Sequence, residues 1–122
     1  MITLEIESAI AAHQMWSKRL RHIVDGISPS RVTPTFVGSY TTCLLGEWLY
    51  GEGTKYHDNI KYVELIKVHQ QFHELAAEIV TLHLAGNDTA AKHLLDGTFE
   101  TLSTQVVDFL HQLRDDAAQV PN

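Results

Sequence analysis

Residues 58–85 read DNIKYVELIKVHQQFHELAAEIVTLHLA, and the spacing of their apolar side chains decides the fold. Tyr62, Leu65, Ile66, His69, Phe72, His73, Ala76, Val80 and His83 recur at steps of three and four, the period that lines one face of an α-helix. The alternation of a half-buried strand is absent. One long helix over 58–85 follows, and its inner face carries two imidazoles four residues apart, His69 and His73.

Working upstream, Ile6, Ile10, His13, Trp16, Leu20, Ile23 and Ile27 repeat the same spacing, which predicts an amphipathic helix over 3–25 with His13 on its buried face. Gly26 and Ser28-Pro29-Ser30 end it, and Pro34 suits the first turn of the next helix. That second helix, over 35–50, carries Phe36, Tyr40, Cys43, Leu44, Trp48 and Leu49 and stops at Gly51-Glu52-Gly53. Gly38 and Gly46 each weaken it by about 1 kcal/mol, so it depends on packing. Downstream, Gly86 caps the long helix and Asn87 or Asp88 starts a fourth, which runs to about residue 117 through Leu94, Leu95, Leu102, Val106, Phe109, Leu110 and Leu113. Residues 120–122 read as a frayed end. Four helices with short connections predict an all-α fold, an antiparallel four-helix bundle with one short helix, forming a single domain over residues 1–122.

Composition narrows the function. The 122 residues, 44% of them hydrophobic, suffice for one core. A net charge of −6 and the lack of a basic stripe exclude a nucleic-acid partner, since neutralising phosphates needs clustered Lys and Arg. Lys18, Arg19 and Arg21 form one short basic group on a mixed helix, which reads as a solvated face. No run reaches the roughly 18 apolar residues of a membrane span, so no membrane contact is expected. The lone Cys43 cannot form an intrachain disulfide, and 1–7 lacks the basic and apolar blocks of a signal peptide, so the expected compartment is the cytoplasm.

The chemistry lies in His13, Cys43, His69 and His73. An HxxxH pair on one helix can grip a metal from a rigid element, although it also fits a hydrogen-bonded core. A buried cysteine by itself reads as a small hydrophobe. Inward positions on three separate helices join them: three imidazoles and a thiolate complete a tetrahedral Zn²⁺ set, and the centre of a bundle is where such side chains meet. A site closed by four protein ligands holds or senses a metal and leaves no position for substrate, so the chain is not expected to be an enzyme. Zinc in small structural sites contributes about 10–16 kcal/mol of apparent binding energy, enough to couple folding to the metal. Around the ion, Trp16 and Trp48 are candidates for an apolar shell, though ordinary core packing also explains them. Glu47, Glu74 and Tyr40 are candidate partners for the imidazoles.

The blocks His13-Gln-Met-Trp16, Cys43-Leu-Leu-Gly46-Glu-Trp48 and His69-Gln-Gln-Phe-His73 resemble the chemoreceptor zinc-binding (CZB) domain family over nearly the whole chain. That resemblance implies the ligand set His13, Cys43, His69 and His73. It further implies a sensory or regulatory domain of bacterial signal transduction, serving chemotaxis or cyclic-di-GMP signalling, that answers to zinc occupancy or to oxidation of the zinc-bound cysteine. Its expected partners are a second copy, as a homodimer, and a signalling output domain or partner protein. No cyclase signature or long coiled coil follows His111, and the start at Met1 favours a stand-alone protein or an N-terminal domain.

Two other readings are open on the residues themselves. A hemerythrin-like or ferritin-like di-iron bundle needs Glu-x-x-His on two helices, and only Asp108-Phe-Leu-His111 approaches that pattern. A metal-independent helical interaction module would bury the same histidines as core. His22, His57, His83, His93 and His111 match no family ligand, and the heptad spacing of His83 from His69 turns it toward the bundle.

Overall fold

The computed structural model describes residues 2–26 and 44–119. The chain is helical, with no strand among the described residues: α1 (Ile2–Val24), α2 (Leu44–Leu49), a 3₁₀ turn (Glu52–Tyr56), α3 (Ile60–Leu84), α4 (Asp88–Leu94), a π-helical turn (Leu95–Phe99) and α5 (Glu100–Gln119). The expected helix over 35–50 is described from Leu44 onward; its earlier part, with Cys43 and Tyr40, lies outside the described residues, as does Pro34.

Local chemistry sets the ends. Asn59 caps α3, its side chain accepting the Lys61 amide at 2.8 Å, and Asn87 caps α4 by accepting the Ala90 amide at 3.3 Å. Gly86 closes α3 with φ of +81°, so that the Asn87 amide reaches back to the Leu82 carbonyl at 2.8 Å. Gly26, at φ +75°, ends α1 in the same left-handed conformation.

The three-residue link between α3 and α4 turns the chain back on itself, and side chains show the antiparallel register of α3 against α5: Lys61 and Asn59 both reach Asp116, at 3.0 Å and 3.2 Å. These two donors, the Lys61 hydrogen bond first, hold the Asp116 carboxyl below its ordinary range. α1 runs antiparallel to α4 and α5 as well. Glu7 meets Arg114 at 3.4 Å, Arg21 meets Asp96 at 2.7 Å and Asp25 meets Lys92 at 3.5 Å. Such exposed pairs contribute at most about 1 kcal/mol each, so they report alignment more than they create it.

Stability comes from the seam between the helices. Ile6, Leu20, Leu65, Phe72, Ile79, Leu95, Leu110 and Leu113 are almost wholly excluded from water, each worth about 1.5–3 kcal/mol against exposure. α2 packs on α1 through Leu45 and Leu49, and the Tyr62 hydroxyl of α3 donates to the Leu49 carbonyl at its end. Three expectations change here. Phe99, absent from the expected inner face, is buried against Phe72. The last helix is interrupted by the π turn around Gly97, whose wider turn rotates Phe99 inward. His83 does not face the bundle centre: half-buried at the end of α3, its Nδ1 lies 2.6 Å from Oδ1 of Asp88, where it ties down the turn. No helix among the described residues is long and apolar enough to cross a membrane.

Candidate metal centre

α3 brings His69 and His73 together because residues four apart stand on one helical face, and both rings are buried. Their Nε2 atoms are 3.1 Å apart and the rings meet edge-on, with centroids 4.6 Å apart at 81°. Two nitrogens approach this closely in one of two ways. Either one ring donates its Nε2 proton to the other, or both lone pairs face a shared cation. Two nitrogens bound to one tetrahedral zinc at 2.0–2.1 Å are about 3.3 Å apart, so the pair already has the bite that a metal requires.

Phe72 lies between the pair in sequence and among the rings in space. It packs at 4.3 Å against His13 from α1, at 5.4 Å edge-on against His73, and at 4.6 Å against Phe99 from the π turn. Trp16, one turn beyond His13, meets the His73 ring in a T-shaped contact with centroids 6.1 Å apart. Trp48, on α2, stacks on Tyr56 with ring centroids 6.1 Å apart.

Burial decides the protonation of these rings. His13 is lowered to about 4, by desolvation and then by the charge His73 would carry. His69 falls to about 3 for the same reasons, desolvation first, then His73 and His13. Both are therefore neutral near pH 7, the form in which imidazole has a lone pair to give.

His13, only 6% exposed, turns its Nε2 toward the Ser103 hydroxyl at 3.4 Å. Among the described residues, no three His, Cys, Asp or Glu side chains converge closely enough to hold a metal. His69 and His73 form a pair, His13 stands across the Phe72 ring, and Cys43 lies outside the described residues. Glu47 and Glu74, expected as partners of the imidazoles, are exposed, and Glu74 instead accepts from Gln70 at 3.4 Å. The partner found for His13, Ser103, carried no signal in the sequence, because a serine on a helix face is recognisable only once the register of α5 against α1 is known.

Comparison with known proteins finds the same family, over a shorter stretch than the resemblance suggested. The chemoreceptor zinc-binding domain matches residues 13–80, more than half of the chain. Diguanylate cyclase DgcZ of Escherichia coli (strain K12) is 29% identical over 115 residues, covering 93% of this chain and 37% of DgcZ. The chain thus spans little more than a third of the length of this curated relative. No solved structure matches it. With its paired histidines on α3 and a match running from His13 to Val80, the chain belongs to the chemoreceptor zinc-binding domain family.

Proposed function

We propose that this chain is a zinc-binding sensory domain in bacterial signalling, in which His13, Cys43, His69 and His73 hold one Zn²⁺ at the core of a four-helix bundle. The observation that carries the reading is the His69–His73 contact: two buried, closely opposed Nε2 atoms spaced to share a cation. Burial of His13 one helix away supports a third ligand, and Cys43 directly precedes α2, whose Leu45 and Leu49 are fixed in the core against α1. When bound, zinc supplies a Lewis-acidic tie between helices and no open position for substrate.

The chain's own residues would then act as a switch. His69 and His73 hold α3, His13 holds α1, and Cys43 holds the segment leading into α2, so loss or oxidation of one donor frees one helix from the others. No catalysis is assigned to this chain. The cyclase relative, whose remaining length lies outside the match, supports a cytoplasmic role in cyclic-di-GMP signalling or chemotaxis. A homodimer would relay the switch to an output domain or partner protein.

Native mass spectrometry of the tag-free chain beside Cys43→Ala and His73→Ala tests this reading. The expected result is one zinc per chain in a dimer, weaker retention in both variants, and a melting temperature that falls on chelation. A folded, zinc-indifferent protein would leave a helical interaction module, and bound iron that is indifferent to Cys43→Ala would restore the di-iron reading.

A further inference from the structure

Three hydrogen bonds around His13 fix the position of a proton. The Ser17 hydroxyl donates to the His13 carbonyl at 3.2 Å, and a carbonyl can only accept, so the single Ser17 proton is committed there. Ser17 and Ser103 lie 3.4 Å apart, and with Ser17 committed the donor between them must be Ser103. Ser103 then has no proton left for the imidazole, so the 3.4 Å contact between Ser103 Oγ and His13 Nε2 requires Nε2–H to donate. The chain of donors closes from the His13 ring, through Ser103 and Ser17, to the His13 backbone.

We infer that Ser103 on α5, oriented by Ser17 on α1, is the positioning residue that locks His13 in its Nε2–H tautomer and so makes Nδ1 the nitrogen His13 offers to a metal. His13 would therefore differ from His69 and His73, whose Nε2 atoms face each other. The inference rests on the zinc reading only for its last step; the tautomer itself follows from the hydrogen bonds. It also gives α5, which bears no ligand of its own, a grip on the site. The two serines line a cleft of about 380 Å³ between α1 and α5, from which water can partly replace a missing hydroxyl. Loss of Ser103 should therefore weaken the site without abolishing it.

Long-range ¹H–¹⁵N correlation of the histidine rings in the full chain, metal-free and zinc-loaded, tests the lock directly. The expected spectrum has His13 protonated at Nε2 in both states, with the zinc-induced shift on Nδ1. A proton on Nδ1, or a zinc shift on Nε2, overturns the inference. Ser103→Ala should mix the two tautomers and lower zinc affinity about tenfold against a chromophoric chelator, while Ser103→Thr, which keeps the hydroxyl, should retain both. An unmixed His13 tautomer in a folded Ser103→Ala also overturns it. Should the wild-type chain take up no zinc, the zinc reading fails and the metal-free spectrum still decides the tautomer.

Discussion

Phe72 on α3 and Phe99 in the π turn stack with ring centroids 4.6 Å apart and planes inclined by 30°, joining the helix that bears the histidine pair to the irregular turn of the opposite helix. Both rings are nearly inaccessible to water. Phe99→Ala removes one side of this stack and leaves a cavity beside the ring that touches His13 and His73. The expected cost is about 3–5 kcal/mol of unfolding free energy in urea denaturation. A loss below about 1 kcal/mol would show that the stack is not formed.

The two lowered histidines predict how the metal-free protein answers acid. Folded His13 and His69 stay neutral down to about 4 and about 3, whereas in the unfolded chain they take up protons below about 6.5. The unfolded state therefore binds more protons across that window. Stability is complete above it and falls as the pH drops, by about 1.4 kcal/mol per pH unit for each imidazole. Urea midpoints of EDTA-treated protein should hold level from pH 7.5 to about 6.5 and then decline toward pH 5. A flat profile would mean that these rings are solvated.

Two glycines should respond to alanine in opposite senses. A Cβ on Gly53 would stand 2.8 Å from the Trp48 carbonyl oxygen and 3.0 Å from its ring, so Gly53→Ala forces the 3₁₀ turn off α2 at a cost of about 1–3 kcal/mol. A Cβ on Gly97 would meet nothing within 4 Å and φ there is not positive, so Gly97→Ala should gain up to about 1 kcal/mol by restricting the unfolded chain. Thermal melts of the pair read both signs.

Tyr62→Phe isolates the tie between α3 and α2. The hydroxyl is the donor to the buried Leu49 carbonyl, and its loss should cost about 1–2 kcal/mol, with hydrogen exchange rising first in α2. The same burial raises the phenol pKa above its ordinary value, so the absorbance change of Tyr62 in alkaline titration should come late and vanish in the variant.

Elements governed by local chemistry were legible in the sequence. The helix expected over 58–85 is Ile60–Leu84, that over 3–25 is Ile2–Val24, and Gly26 and Gly86 take the left-handed caps their positions required. His13, His69 and His73 were readable as inward-facing for the same reason, since periodicity alone places them. The π turn was not legible, because no residue type demands one: Gly97 permits it, and Leu95 and Phe99 are buried there, Phe99 against Phe72 of α3. Ser103 is illegible on similar grounds, and the heptad spacing of His83 points to the wrong place because periodicity does not register that a helix is ending.

The antiparallel run of α1 along α5, held at one end by Glu7 and Arg114, has a topological consequence. The beginning of α1 and the end of α5 emerge from the same pole of the bundle, separated by roughly the 8–10 Å of one helix contact. These two helix ends are therefore neighbours in space although they lie far apart in sequence. Any twist of α1 against α5 at the level of His13 and Ser103 would shift both ends at once.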